Sequence, residues 1–419
     1  MRGATGVDGA LPGLRDAVAD RARPAEDGDA VAGVVPRYVV RPTSTAETAA
    51  VMAVAAAHDL CVVARGAGTK QDWGVPPRRV DLVVDTTGLT GVVEHVAGDL
   101  VCVVRAGTPV ESLQAVLAEA GQQLALDLPL PGATLGGTVA VSTSGPRRLL
   151  YGTMRDLLIG VTFVRADGIV ASAGGKVVKN VAGYDFGKLL TGSYGTLGVV
   201  TEAVVRLHPR PVAQRVVRCP VAGPADAGRL AAAVLGSQLV PSAVEVEQRG
   251  DGPVAVTVLL EGIESGVDLR AAGTRDLLGA DAAVDDRLPP GFTDLPFGAG
   301  GTGLKVTSTI TGVAAVLESL RRAGTRQGVE VAVRGSAMGV LHAGLPAGTP
   351  PGAVAAVVEA VRAVAREHDG SAVVLTAPPD VRAEVDVWGP VPGLDLMRRV
   401  KDELDPGHRL APGRFVGGI

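Results

Sequence analysis

Cysteine is scarce in this sequence, and the three that occur, Cys61, Cys102 and Cys219, are far apart. No C-x-x-C pair is present, which argues against a disulfide framework and against a zinc or iron–sulfur site. The six histidines are isolated, with no H-x-H or H-x-x-x-H spacing, so no histidine-based metal site is expected. Aromatic residues make up only 3% of the chain, so the core must consist of Ala, Val and Leu.

Long apolar runs and clustered charge are missing as well. No segment reaches the roughly 18 apolar residues of a membrane span, and the N-terminus lacks the basic and apolar regions of a signal peptide. The net charge is −4 and no basic run occurs, which argues against nucleic acid as a partner. We therefore expect a cytoplasmic protein, either free or held at the inner membrane through its partners.

Glycine, in contrast, is abundant, with 57 of 419 residues, roughly twice its usual share. Glycines cluster between short apolar runs in Leu130–Thr201, for example at Gly136-Gly137 and Gly174-Gly175. Glycine permits positive φ angles and a close approach of the main chain to a ligand. The clusters indicate either a main chain wrapped around a long ligand or the ordinary turns of an α/β enzyme.

A further glycine turn follows the predicted strand Cys61–Ala64 and reads Arg65-Gly-Ala-Gly-Thr-Lys70. Its N–H groups can converge on an anion, and a basic side chain stands at each end. The turn is not a Rossmann fingerprint, because Gln71 replaces the third glycine and Pro76-Pro77 prevents a regular helix. The alternative is a tight turn with two solvent-exposed basic residues.

The order of elements predicts an α+β fold. Ser44-x-x-Glu47 forms a capping box that opens a helix, and Thr108-x-x-Glu111 forms a second one. Several strands joined by glycine turns follow. The composition changes after Pro211, which indicates a domain boundary.

Residues 213–385 alternate strands with Ala-rich helices, which predicts an antiparallel sheet with helices on one side. The predicted strands are Val216–Cys219, Val244–Glu247, Val254–Leu260, Val329–Arg334 and Ala372–Leu375, and the predicted helices are Ala225–Leu235, Val313–Ala323 and Ala353–His368. The stretches Ala280–Gly303 and Ala343–Gly352 are expected to be loops.

Three motifs resemble the FAD-binding domain of the vanillyl-alcohol oxidase and p-cresol methylhydroxylase (PCMH) family. They are Arg65–Thr69 at the end of a strand, Pro131-Gly-Ala-Thr-Leu-Gly-Gly137, and Gly192-Ser-Tyr-Gly-Thr-Leu-Gly-Val-Val-Thr-Glu202. The resemblance implies a two-subdomain PCMH-type FAD-binding domain with an α+β cap. It also implies four segments: 1–36, partly irregular; 37–212, the FAD-binding domain; 213–385, the cap; and 386–419, returning to the FAD-binding domain.

More narrowly, the chain resembles the FAD-binding subunits of bacterial glycolate oxidases. The residues that carry this likeness are Gly145–Arg148, Arg155-Asp156, Lys179–Asp185, Trp388-Gly389, Met397–Leu404, Asp405–Gly407 and Ala411–Phe415. The likeness covers most of residues 30–212 and 386–419, whereas residues 213–385 carry no motif that we could match firmly.

The resemblance implies a set of cofactor-binding residues along FAD, from the pyrophosphate to the adenine end. They are Arg65, Gly66, Ala67, Gly68, Thr69, Lys70, Pro131, Gly132, Ala133, Thr134, Gly136, Gly137, Ser144, Gly145 and Val199. Some members of the family tether FAD through a histidine in the first glycine turn. Thr69 takes that position here, so the resemblance implies non-covalent FAD, and we expect aspartate at Gly68 or Gly136 to abolish FAD binding.

The resemblance also implies the chemistry. It suggests an FAD-dependent subunit of a glycolate (2-hydroxy acid) oxidase or dehydrogenase, working beside a second flavoprotein and an iron–sulfur protein. Related catalytic subunits use a histidine-rich metal site in the cap, which this sequence lacks, so no catalytic residue is assigned; Arg147, Arg148 and Tyr151 are taken as structural. A stand-alone oxidase of another small alcohol or acid, and a non-catalytic scaffold of an electron-transfer complex, remain as alternatives.

Overall fold

The computed structural model describes residues 9–176 and 183–419. Within these two ranges the strands form four sheets, with four, five, two and eight strands. None of the helices in these ranges has both the length and the apolar composition needed to cross a membrane.

The first two sheets and the two-stranded ribbon lie in the N-terminal half. Their strands are β1 Ala22–Pro24, β2 Tyr38–Val40, β3 Val62–Arg65, β4 Leu82–Asp85, β5 Val92–Val96, β6 Val101–Arg105, β7 Gln122–Gln123, β8 Leu158–Val164, β9 Val170–Gly174, β10 Val199–Arg206 and β11 His208–Pro209. The helices are α1 Ala10–Val18, α2 Thr45–Ala57, α3 Val110–Glu119, α4 Leu135–Val141, α5 Arg148–Tyr151, α6 Met154–Leu157 and α7 Phe186–Leu190.

The four-stranded sheet has the order β1-β2-β4-β3, in which β4 pairs in parallel with both β2 and β3. Helices α1 and α2 bury Leu14, Val51 and Met52 against it. The five-stranded sheet is antiparallel, with the order β5-β6-β10-β8-β9, and α3, α4 and α6 pack on it. The predicted arrangement of two α+β subdomains is therefore confirmed.

The eight-stranded sheet forms the cap. Its strands are β12 Ala213–Val221, β13 Ala243–Arg249, β14 Val254–Gly262, β15 Ala283–Asp285, β16 Thr302–Thr307, β17 Ala332–Ser336, β18 Val340–Leu345 and β19 Ala372–Thr376, in the order β15-β12-β14-β13-β17-β18-β16-β19. The helices are α8 Pro224–Leu235, α9 Glu264–Leu278, α10 Val313–Gln327, α11 Pro351–Glu367 and α12 Pro379–Glu384, followed by α13 Leu394–Leu404.

One face of the cap sheet is apolar and lies under helices α8 to α11, where Val244, Val333 and Leu341 join the large core. The opposite face turns towards the FAD-binding domain. We propose the boundary near residue 212 as the domain limit, because β11 still pairs with β7 whereas β12 belongs to the cap sheet.

Several expectations from the sequence were wrong in detail. The stretches expected to be loops contain β15 and the second half of β18, and β16 and α9 were not predicted at all. The Thr108 capping box is not formed, because the Thr108 hydroxyl donates to the Arg105 carbonyl (2.7 Å) and Glu111 accepts from the Gly132 amide (3.1 Å). At α2 the Ser44 hydroxyl does cap the helix, accepting from the Glu47 amide at 3.1 Å.

The C-terminal segment returns to the FAD-binding domain. The Val62 amide donates to the Arg409 carbonyl, and the Ala411 amide donates to the Val62 carbonyl, both at 2.8 Å, so this segment lies beside β3. A fully buried ion pair between Lys401 and Asp405 (2.6 Å) fixes the chain before it. The segment thus lies next to the strand from which the first glycine turn begins.

Candidate functional site: a glycine-lined groove that opens into an interdomain cleft

A groove runs between the four-stranded and five-stranded sheets. It is lined by the first glycine turn, by helix α4 with its preceding turn, and by the segment between α7 and β10: Val63, Ala64, Gly66, Ala67, Gly68, Thr69, Lys70, Gln71, Thr86, Thr134, Gly136, Gly137, Ala140, Val141, Leu190, Ser193, Tyr194, Gly195, Gly198, Val200 and Arg414. The space between its walls, including the part that is open to solvent, is about 810 Å³.

The first glycine turn offers unused hydrogen-bond donors to this groove. The amides of Ala67, Gly68, Thr69 and Lys70 donate to no acceptor in the described ranges. Gly68 has φ +76°, a left-handed conformation that glycine adopts without strain. Consecutive free N–H groups in such a turn form an anion-binding concavity.

Lys70 adds a cation to the same place. Its side chain is only 7% exposed, and it makes no hydrogen bond or ion pair within the described part of the chain. Burial lowers the pKa of Lys70 to about 8, so the ammonium is still the main form at neutral pH. A buried cation without a protein partner is unfavourable unless an anionic ligand completes it.

The second glycine turn, Pro131–Gly137, has a different role. Its amides are used within the protein: Gly136 donates to the Ala106 carbonyl (2.7 Å) and Gly137 to the Thr134 hydroxyl (3.3 Å). A Cβ on Gly66 would overlap the Thr134 hydroxyl, so the two turns touch directly. The second turn therefore shapes the groove, while the first supplies its donors.

The surroundings of Gly136 change the reason why aspartate at this position should impair FAD binding. A side chain at Gly136 would meet Ala106, with its Cβ 2.8 Å from that of Ala106, and would not enter the groove first. Aspartate at position 136 thus perturbs internal packing before any ligand. Gly68 has open space instead, where an added Cβ would have only the Gln71 side chain nearby, at 3.7 Å.

The structure separates the predicted cofactor residues into three groups. Those that line the groove are Gly66, Ala67, Gly68, Thr69, Lys70, Thr134, Gly136 and Gly137. Ser144 and Gly145 lie further along, at the cleft between the domains. Those that line neither are Arg65, Pro131, Gly132, Ala133 and Val199.

Two members of the last group have identifiable other roles. The Arg65 guanidinium donates to the Asp29 carboxylate at 3.0 Å, so its charge is already paired. The Val199 side chain is buried in the core of the four-stranded sheet and its helices. In the narrower resemblance, residues Lys179–Ala182 lie outside the described residues.

The groove opens into a cleft between the FAD-binding domain and the cap. Val141 and Tyr194 line both spaces, so they are continuous. The rings of Tyr194, Trp388 and Phe415 lie 5.1–5.4 Å apart and form an apolar wall of the cleft. Such a wall suits a flat aromatic group at the end of a long ligand.

Basic side chains from both domains meet in this cleft. Lys305 in β16 and His342 in β18 are directly opposite one another in the cap sheet, so they share a face, and Arg148 in α5 reaches the same space. None of the three makes a hydrogen bond or ion pair with a described residue. The sequence analysis missed Lys305 and His342, because the strands that carry them were not predicted.

The electrostatics of the cleft favour an anion. Burial, with Arg148 nearby, lowers the pKa of Lys305 to about 8, and burial with both cations lowers the pKa of His342 to about 3. His342 is therefore neutral at physiological pH. Burial raises the pKa of Glu245 well above its usual range, although the nearby charge of Arg148 acts in the opposite direction.

The neighbouring Arg147 is used differently. Its guanidinium donates to Asp127 (2.5 Å) and to Glu261 of the cap (2.9 Å), and the Tyr151 hydroxyl lies 3.5 Å from Glu261. Arg147 and Tyr151 thus bridge the two domains, as the structural interpretation expected. Arg148 differs, since its side chain makes no hydrogen bond or ion pair with a described residue and lines the cleft.

The residues of the groove fit FAD. Free amides and a buried, unpaired lysine match a pyrophosphate, and the cleft with its aromatic wall matches an isoalloxazine ring. Residues 36–174 match the model of the FAD binding domain family. This chain carries an FAD-binding domain. Its cofactor is FAD, as predicted.

Curated relatives share this part of the chain. The sequence is 40% identical over 159 residues to the glycolate oxidase subunit GlcE of Escherichia coli, covering 38% of this chain and 45% of that protein. It is 31% identical over 215 residues to the glycolate oxidase subunit GlcD of Bacillus subtilis, covering 50% of this chain and 45% of that protein. It is 33% identical over 214 residues to a D-lactate dehydrogenase of Archaeoglobus fulgidus, covering 50% of this chain and 47% of that protein. The chain spans about half the length of the curated relatives it matches.

Among solved structures, an alkyldihydroxyacetonephosphate synthase superposes with a TM-score of 0.69 over 91% of this chain and 78% of its own. The two sequences are only 16% identical, so this likeness concerns the fold alone. It includes the cap as well as the FAD-binding domain.

FAD should be held without a covalent bond. No histidine or cysteine occurs among the described residues that line the groove, and Thr69 lies in the first glycine turn. Acid precipitation of the purified protein should therefore leave the yellow colour in the supernatant. Colour that stays in the washed pellet would contradict this prediction.

Proposed function

We propose that this chain is an FAD-dependent oxidoreductase that oxidises a small 2-hydroxy acid. The observation that carries the proposal is the cleft in which Arg148, Lys305 and His342 meet without a hydrogen bond or ion pair to a described carboxylate, next to the groove for FAD. The names of the relatives, glycolate oxidase subunits and a D-lactate dehydrogenase, support the same substrate class.

Each side chain has a role that follows from its chemistry. Arg148 and Lys305 bind the substrate carboxylate, since a guanidinium and an ammonium both donate to carboxylate oxygens. Neutral His342 accepts a hydrogen bond from the substrate hydroxyl and orients it, which an imidazolium could not do. Tyr194, Trp388 and the neighbouring apolar residues exclude water from the reacting carbon. Bound FAD supplies the two-electron acceptor.

Within the described residues, no group of three or more His, Cys, Asp or Glu side chains is placed to hold a metal ion. The resemblance led us to expect a flavin subunit without the metal site of related catalytic subunits. The cationic cleft supplies another means of holding a carboxylate. We therefore assign the substrate site to this chain's own side chains.

The chain works, in this proposal, as one subunit of a glycolate oxidase or dehydrogenase complex in the cytoplasm. Its partners are a second flavoprotein and an iron–sulfur protein, which take the electrons onward. Two of the relatives are named as subunits, which supports this arrangement. A stand-alone oxidase is the second candidate, and the cationic cleft favours it, because a substrate site is present on the isolated chain.

Steady-state oxidation of glycolate and D-lactate tests these alternatives. The purified, FAD-loaded chain is assayed with an artificial dye as acceptor, alone and with its complex partners. Turnover that requires the partners supports the complex. Robust turnover by the chain alone supports the stand-alone oxidase. Absence of flavin reduction under both conditions, with no effect of Arg148 substitution on the complex, would leave only the scaffold and would refute the proposal.

Substrate binding should weaken at alkaline pH. Lys305 binds a carboxylate only when protonated, and its pKa is lowered to about 8, so the KM for glycolate should rise as the pH increases through this value. His342, with a pKa of about 3, does not titrate in this range. KM measured between pH 6 and 10 checks the prediction. A KM that stays constant to pH 10, or rises equally in Lys305→Met, would contradict it.

A further inference from the structure

Arg414, near the C-terminus, contacts the loop that continues the first glycine turn. Its Nη2 atom donates to three main-chain carbonyls of the loop that continues this turn: those of Lys70 at 3.3 Å, Gln71 at 2.6 Å and Trp73 at 3.4 Å. The residue is only 5% exposed. One nitrogen of the guanidinium therefore fixes the shape of the chain immediately after the free amides.

The other terminal nitrogen of Arg414 has no such use. Nη1 is buried and has no hydrogen-bond partner in the described ranges, and Arg414 lines the FAD groove. No described carboxylate lies within ion-pair distance of it, and burial lowers the pKa of Arg414 to about 10. A buried donor without an acceptor is costly, which points to an acceptor supplied by a ligand.

Arg414 and Lys70 share this condition. Both are more than nine-tenths buried, both line the groove, and neither has an anionic partner within the described chain. The Lys70 carbonyl itself accepts from Arg414, so the Arg414 guanidinium lies against the main chain of the first glycine turn. An arginine and a lysine that line the same groove as four free amides match an anionic ligand such as a pyrophosphate.

We propose that Arg414 binds FAD, donating from Nη1 to a phosphate oxygen of the pyrophosphate while Nη2 holds the first glycine turn in its binding shape. The planar guanidinium can serve both purposes at once because its nitrogens are rigidly spaced. The proposal goes beyond the proposed function, since it concerns retention of the cofactor and holds for any substrate.

The position of Arg414 is set by the fold of the C-terminal segment. The segment is anchored beside β3 by the paired hydrogen bonds between Val62 and residues Arg409 and Ala411. The Val75 amide also donates to the Arg414 carbonyl at 3.3 Å. The same strand thus holds both the first glycine turn and the arginine that faces it.

The dissociation constant of FAD tests the proposal. We compare the full-length wild type with Arg414→Met by titrating the apoprotein with FAD and following flavin fluorescence. The matched control is Arg362→Met, because Arg362 also donates to three main-chain carbonyls, those of Ala372 (2.9 Å), Asp386 (2.6 Å) and Val387 (3.3 Å), but does not line the groove. We expect Arg414→Met to bind FAD at least tenfold more weakly, and Arg362→Met to bind within twofold of wild type.

A conservative variant keeps the test decisive if Arg414→Met does not fold. Arg414→Lys retains the charge but cannot hold the turn and the phosphate together, so we expect its affinity for FAD to be reduced at least threefold. Wild-type affinity in either folded Arg414 variant would overturn the proposal. So would an equal loss of affinity in Arg362→Met, because the effect would then reflect general loosening of the structure.

Discussion

A Gly68→Asp variant should be purified without colour, because it should not bind FAD. The amides of Ala67 to Lys70 form the donor set of the groove, and a carboxylate within this set would accept their hydrogen bonds and repel the pyrophosphate. Aspartate tolerates positive φ better than most residues, so the φ of +76° at Gly68 adds only a small strain. The dominant effect is therefore electrostatic and local to the cofactor.

A matched control separates this effect from backbone strain. Gly348 has φ +79°, no atom within 4 Å of an added Cβ, and a position outside the groove. Gly348→Asp should therefore retain its FAD. The ratio of flavin absorbance to protein absorbance, with circular dichroism to establish folding, gives the comparison. A folded Gly68→Asp protein with full flavin occupancy would show that the first glycine turn is not the pyrophosphate site.

An Arg148→Met variant should lose at least about 100-fold in kcat/KM for glycolate while keeping its FAD. Removing one partner of a desolvated charge pair costs about 2–5 kcal/mol, and each 1.4 kcal/mol corresponds to tenfold. Arg148 lines the cleft and makes no hydrogen bond or ion pair with a described residue, so its removal should leave the fold intact. Arg148→Lys should recover part of the activity, since it retains the charge but not the paired donors.

The control for Arg148 is another arginine of the structure. Arg215 in β12 pairs with Asp268 at 2.8 Å and lies outside the cleft. Arg215→Met should retain wild-type kcat/KM, because a partly exposed ion pair contributes little. Added guanidinium ions should restore activity to Arg148→Met alone. Unchanged kcat/KM in a folded, FAD-loaded Arg148→Met protein would refute the assignment of the carboxylate site.

Local motifs were sufficient to predict the cofactor domain. The first glycine turn could be identified because a strand followed by closely spaced glycines has few structural solutions, and Gly68 does take a positive φ. The predicted cap strands in β12, β13, β14, β17 and β19 and the helices α8, α10 and α11 were found. Each of these has a strong apolar pattern, which determines local structure directly.

The elements that the sequence analysis missed have weaker patterns. Strand β16 reads Thr-Gly-Leu-Lys-Val-Thr, and β18 reads Val-Leu-His-Ala-Gly-Leu, so glycine and polar residues interrupt the alternation. Their stability comes from pairing with each other and with β17 and β19. Because these pairings are non-local, no window of the sequence contains them, and the two residues Lys305 and His342 were overlooked with their strands.

Adjacent residues with similar chemistry also had roles that the sequence did not distinguish. Arg147 and Arg148 were both interpreted as structural, and only Arg147 has protein partners, in Asp127 and Glu261. Likewise Arg65 and Lys70 both flank the first turn, but Arg65 is paired with Asp29 and Lys70 is not. Which cation is free depends on carboxylates from distant parts of the chain.

From the sequence alone, the apolar periodicity predicted many of the helices and strands, because it acts within a few residues of the chain. The FAD-binding fold and its cofactor were predicted from the resemblance of three glycine motifs to a known family, because such motifs are also short and local. Only the tertiary structure decided which of them do so. Arg148, Lys305 and His342 meet in the cleft, and Arg414 and Lys70 in the groove, through contacts between residues far apart in sequence. Their availability for a ligand follows from the absence of a hydrogen-bonded or ion-paired carboxylate within the described chain, which depends on where folding places the carboxylates of distant segments.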